Sequence, residues 1–125
     1  MIRILLYIGL GGFLGSILRF TVQQAVDRWV QGILPFGILT VNIIGSLLMG
    51  LIFGIVLHKN ILSDEWRLFL ATGFCGGFTT FSAFSFDNVM LLNNGEYMHS
   101  LLYSGGSVVL AILSTMAGIY LVRLF

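Results

Sequence analysis

The sequence predicts an all-α membrane protein: a single domain over residues 1–125 with four transmembrane helices, the third broken near its middle. Three observations predict it. The 125 residues are 58% hydrophobic and only 9% charged, with a mean hydropathy of +1.02. A soluble domain carries about 25% charged residues, so this chain cannot present a charged shell to water. The apolar residues also fall into four runs, each near the roughly 20 residues that a helix needs to cross the hydrocarbon core. Finally, the stretch Gly73-Phe74-Cys75-Gly76-Gly77-Phe78-Thr79-Thr80-Phe81-Ser82-Ala83-Phe84-Ser85 places helix-weakening glycines and several hydroxyls inside one of these runs. Non-helical backbone at membrane depth persists only where protein buries it or where it lines a cavity, so this stretch is the candidate functional site.

The first helix is expected from Ile4 to Val22, and the second from Phe36 to Leu57, opened by Pro35 at a tolerated N-terminal position. The third is expected from Arg67 to Leu92, with Ser63 and Asp64-Glu65 as its start signal, and the fourth from Tyr97 to Val122 after an Asn94-Gly95 turn. The connections are short, leaving no room for a soluble domain. Arg3 precedes an apolar run without a small-residue cleavage site, so the N-terminal segment is expected to be retained. With four spans, Arg3, Lys59, Arg67 and Arg123 share one side, which favours the N-terminus inside.

Composition excludes several functions. Six Lys/Arg against five Asp/Glu give a net charge of +1, with no basic cluster for nucleic acid. The single cysteine, Cys75, reads as a packing residue. No paired carboxylates, metal-ligand spacing or phosphate-cradling loop appear, so no enzyme is expected. Small residues recur at helical spacing, as Gly11-Gly15, Ser46-Gly50-Gly54, Ser107-Ala111-Thr115 and Ser114-Gly118. Such rows let helices approach closely. Four helices enclose little volume, so an oligomer is expected, with any aqueous pathway at or near a subunit interface.

Several polar side chains are placed where lipid offers no partner. Asn42 lies within the second helix, where its amide either bonds to a neighbouring helix or donates to a permeating anion. Arg19 either snorkels to the interface or sits at the mouth of an anion pathway. Thr79, Thr80 and Ser82 on the third helix, with Tyr103, Ser107 and Thr115 on the fourth, offer hydroxyls; Ser107 and Thr115 share a face. Phe81 and Phe84 also share a face, and their positive ring edges can approach an anion without formal charge. Core packing is the ordinary alternative for that pair. Carbonyls freed by the break could hold a small cation. Asp87 is the deepest acid, whereas His58 and His99 read as interfacial.

Three blocks resemble the Fluc/CrcB fluoride channel family: Gly11-Gly12-Phe13-Leu14-Gly15-Ser16-Ile17-Leu18-Arg19, Val41-Asn42-Ile43-Ile44-Gly45-Ser46, and Gly73 to Ser85. The resemblance covers essentially the whole chain. It implies a dual-topology, antiparallel homodimer in the bacterial inner membrane, with two pathways that export fluoride passively. By matched position it assigns Asn42, Phe81, Ser82, Phe84, Tyr103, Ser107 and Thr115 to the fluoride pathway, and Arg19 to a structural or vestibule role. It also implies a central structural Na⁺ held by the backbone carbonyls of Gly76 and Thr79. The chain departs from the family at Ile38, Ala83 and Ala111, where Thr, Thr and Ser are common, so its hydroxyl track is expected to be interrupted.

A small proton-coupled multidrug exporter would share the four helices, but such exporters use a membrane-embedded glutamate, and Ile4 to Val22 contains no acid. A structural membrane subunit would explain the small-residue rows, but not glycines and hydroxyls converging at one depth.

Overall fold

The computed structural model describes residues 1–125, all helical apart from short connections. Helix α1 spans Ile2–Trp29 and α2 spans Phe36–His58. The third span, Asp64–Asn93, has two halves. Its first half, α3, covers residues 64–78: an α-helical turn at Asp64–Arg67, a π-wound stretch at Leu68–Cys75 and a last α turn at Gly76–Phe78. The second half, α4, is Phe81–Asn93, and α5 is Tyr97–Arg123. The four spans are long and apolar enough to cross a membrane, as expected of a multi-pass membrane protein.

The helix ends follow local chemistry. Ser63 caps α3 by accepting from the Trp66 N–H at 3.3 Å. The Asn94-Gly95 turn closes with Gly95 at φ 77°, a backbone region that glycine enters without a Cβ penalty. Helix α1 extends seven residues past the expected Val22, because polar residues such as Gln23 and Gln24 still favour a helix once it leaves the hydrocarbon. That extension brings Asp27 to the start of α2, where its Oδ1 accepts from the Gly37 N–H at 2.9 Å. Pro35 has no side-chain cap to offer, so α2 takes its cap from α1.

Two glycine-mediated contacts hold the bundle. On α1, a Cβ at Gly11 would collide with the Phe69 carbonyl, and one at Gly15 with the Phe74 carbonyl. Helix α3 reciprocates: a Cβ at Gly73 would lie 2.7 Å from the Ile8 carbonyl oxygen, and one at Gly77 2.6 Å from that of Gly12. Backbone therefore lies directly on backbone between α1 and α3. Helices α2 and α5 meet in the same way through Gly50, Gly54 and Gly118. The rows at 11/15 and 50/54, and Gly118 from the third, are thus packing devices, the outcome their spacing predicts.

One consequence is testable. Gly15→Val forces a side chain into the Phe74 backbone and should destabilise the fold by about 1–3 kcal/mol. Gly9→Ala, which meets nothing within 4 Å, should leave stability almost unchanged. Thermal unfolding in detergent micelles measures both, and equal midpoints would contradict the packing account.

The structure corrects one expectation. Gly73, Gly76 and Gly77 do not themselves break the third helix; all three lie in helical backbone. Gly73 and Gly77 serve the close approach to α1. The break falls at Thr79 and Thr80.

Candidate functional site

Thr79 (φ −82°, ψ 157°) and Thr80 (φ −149°, ψ 124°) are both extended. Two consecutive β-branched residues suit that conformation. Leaving the helix strips Thr80 of its regular backbone partners, and in hydrocarbon each unpaired group is costly. Asn42 of α2 replaces both partners. Its Oδ1 accepts from the Thr80 N–H at 2.8 Å, and its Nδ2 donates to the Thr80 carbonyl at 3.0 Å. This is the interhelical bond that the sequence left as one of two alternatives. An amide nitrogen carries two hydrogens, so one donor remains after the clamp is made.

The hydroxyls then complete the turn. Thr80 Oγ1 caps α4 by accepting from the Ala83 N–H at 3.1 Å, and it lies 3.2 Å from Ser82 Oγ. The Thr79 hydroxyl and N–H both donate to the Cys75 carbonyl, each at 2.9 Å. Because the Thr80 N–H is turned to Asn42, the Gly76 carbonyl four residues back loses its normal donor. The Thr79 carbonyl accepts no hydrogen bond. Gly76 is exposed, with only the Ala71 carbonyl near its Cα direction.

Beside the break lies a cavity of about 310 Å³. Asn42, Gly45, Ser46 and Met49 line it from α2; Thr79, Thr80, Phe81 and Phe84 from the broken span; Ser107, Val108, Ala111 and Thr115 from α5. None of these side chains carries a formal charge. Gly45 makes the shape possible, since a Cβ there would strike the Thr79 methyl. The Phe81 and Phe84 rings are 5.5 Å apart and tilted by 38°, with Phe81 78% exposed on the surface of the subunit. The 13-residue helix α4 begins at this cavity. Its N-terminus therefore contributes positive potential, while the last turn of α3 ends in carbonyls of negative potential.

The structure brings Asn42, Phe81, Phe84, Ser107, Thr115 and Thr79 together on this one cavity. The Ser107 hydroxyl is buried there without a hydrogen-bond partner. Thr115 is committed elsewhere, with Oγ1 at 3.1 Å from both the Ser46 and Ala111 carbonyls. Ser82, Tyr103, Gly76 and Arg19 do not line the cavity. Ser82 connects to it through Thr80. Tyr103 is fully buried, packs against Phe84 with ring centroids 5.1 Å apart and planes tilted by 37°, and donates to Asp87 Oδ2 at 3.1 Å. Arg19 is half-buried, and its Nε has no partner.

Sequence reasoning gave Thr80 only a generic hydroxyl. Its place between the glycines and a new helical start marks it as an N-cap, a signal readable from the sequence. Ser46 and Met49 were missed, since nothing local tells which face of α2 meets the break. Likewise unforeseen is a second cavity of about 290 Å³, where Gln23, Asp27 and Gln31 from the end of α1 and beyond meet Pro35, Ile38 and Asp87.

Comparison with known proteins agrees with this architecture. The family model described as CrcB-like protein, Camphor Resistance (CrcB), matches residues 6–119. The fluoride-specific ion channel FluC of Gloeothece citriformis is 46% identical, covering 98% of each chain. Those of Rhizobium meliloti and Flavobacterium psychrophilum are 44% and 40% identical, covering 95% of each chain in the first case, and 97% of this chain and 98% of the relative in the second. Matched across nearly its whole length, broken third span included, the chain belongs to the CrcB family.

Proposed function

We propose that this chain is a fluoride channel, carrying out transport rather than catalysis, through which fluoride leaves the cytoplasm passively. The observation that carries the reading is the uncharged cavity at the break, with an amide, hydroxyls and two tilted aromatic rings on its walls. The names of the relatives support it.

Fluoride is small and strongly hydrated, so a pathway must replace part of its water without trapping it. The remaining Asn42 N–H and the unpartnered Ser107 hydroxyl are donors that can do so. The edges of Phe81 and Phe84 and the α4 N-terminus add positive potential without a formal charge. No lysine or arginine lines the cavity to hold the ion too tightly. Tyr103 acts from behind, supporting Phe84 and tying α5 to Asp87. Ser82 steadies the Thr80 hydroxyl, and Arg19 serves near the end of the pathway.

The reading extends to an antiparallel homodimer in the bacterial inner membrane, with two pathways that each use both subunits. The exposure of Phe81 supports this, because a second subunit would enclose that ring. A structural sodium ion would be held by the Gly76 and Thr79 carbonyls. Their lack of ordinary donors and the open approach at Gly76 fit a small hard cation that prefers oxygen ligands. Bound there, the ion would neutralise the carbonyl ends of the paired breaks.

Efflux from proteoliposomes, followed with a fluoride electrode, tests the function. Wild-type protein should release fluoride and retain chloride. Phe81→Ile should slow release by up to about tenfold, in line with the roughly 0.5–1.5 kcal/mol of an aromatic edge interaction. No release from well-folded wild-type protein would overturn the proposal, and an unchanged rate in Phe81→Ile would remove that ring from the mechanism.

A further inference from the structure

We propose that Asn88 is a positioning residue for the pathway: it clamps the half-helix that carries Phe81 and Phe84 onto α5 through Ser100 and Ser104. The inference rests on the fluoride-channel reading. The break at Thr79 and Thr80 uncouples α4 from α3, so α4 must be oriented by its own contacts. Apolar burial supplies few of them. Leu91 is the one buried residue of α4, and Phe86, Val89 and Met90 are exposed.

Two side chains of α4 make polar connections to α5: Asp87 accepts from Tyr103, and Asn88 makes the more extensive set. Its Oδ1 accepts from Ser100 Oγ at 2.9 Å and from Ser104 Oγ at 2.7 Å. Its Nδ2 donates to the backbone carbonyl of Phe84 at 3.0 Å. Both lone pairs of the amide oxygen are thereby used, and one amide ties two turns of α5 to the residue that bears the cavity ring. Ser100 and Ser104 stand on the same face of α5 as Ser107, Ala111 and Thr115, by the 3.6-residue period. The clamp therefore sets the register of Phe84 against the very face that lines the cavity. Asn88 does not line the cavity, so any effect on conduction must pass through α4.

The experiment is fluoride efflux at less than one active channel per vesicle. The fraction of vesicles that empties reads how much protein is folded and active, and the rate within emptying vesicles reads conduction itself. Asn88→Ala should leave the fraction unchanged and lower the rate by roughly tenfold, the population shift that two membrane hydrogen bonds can set. Ser104→Thr, which keeps the donor, should retain the wild-type rate, whereas Ser104→Ala should lose it. In a Ser100→Ala/Ser104→Ala background, Asn88→Ala should change the rate by less than about twofold, because the interaction is already gone. A loss confined to the fraction of emptying vesicles, or full multiplicative loss in that background, would overturn the clamp. Wild-type efflux with an unchanged Asn88→Ala rate overturns this inference alone, and absence of wild-type efflux overturns the channel reading with it.

Discussion

Asn42→Asp is expected to lower fluoride efflux by roughly a thousandfold, the largest effect of any single substitution in this chain. The change is nearly isosteric, so it creates no void. It removes the Nδ2 donor and sets a carboxylate oxygen against the Thr80 carbonyl, at a contact now 3.0 Å long. It also places negative charge on the wall of the cavity. Two like charges 4 Å apart repel by about 4 kcal/mol at an effective dielectric of about 20, which corresponds to the expected rate loss for an anion passing there. Asn42→Ala separates the two effects. It removes the clamp on Thr80 without adding charge, and should lose less. Initial efflux rates from proteoliposomes measure both, and an Asn42→Asp protein conducting like the wild type would remove Asn42 from the pathway.

Thr80→Val is expected to give the second largest effect, acting first on stability. Valine matches threonine in shape but cannot accept from the Ala83 N–H, now held at 3.1 Å. That donor would be left at membrane depth without a partner, at a cost of about 1–3 kcal/mol. The thermal midpoint in detergent should fall, and efflux should fall with it, because the start of α4 forms part of the cavity. Thr80→Ser keeps the oxygen and should restore most of both. A Thr80→Val protein as stable as the wild type would show that α4 does not depend on this cap.

The two predictions concern residues of differing legibility. Asn42 was visible because an amide inside an apolar run needs an explanation whatever the fold. Its chemistry narrowed the answer to a helix contact or a ligand contact, and the structure shows that it makes the first, with one amide N–H left over. Thr80 was visible only as one hydroxyl among several. Its role depends on where the helix breaks, and the glycines drew that expectation to themselves. All three are helical, and at Gly73 and Gly77 the reason is that α1 supplies a backbone surface that rewards a residue without a side chain. Tertiary packing thus moved the break from the weakest helix formers to the two threonines that Asn42 can bond.

What the sequence by itself determined is the class of the molecule: four apolar runs, short connections, small-residue rows and an irregular third span. Each follows from a local rule, since the bilayer sets helix length and lipid gives no partner to a free peptide group. What only the tertiary structure decided is which polar groups are spent on holding the fold and which are left without a partner. Thr115 is satisfied by carbonyls of α2 and α5, Asn88 by serines of α5, and Tyr103 by Asp87, while the Ser107 hydroxyl is left free. The physical reason is that a hydroxyl or amide in hydrocarbon takes whichever partner lies within about 3 Å, and residues as far apart in sequence as Ser46 and Thr115 become such partners only when the helices pack.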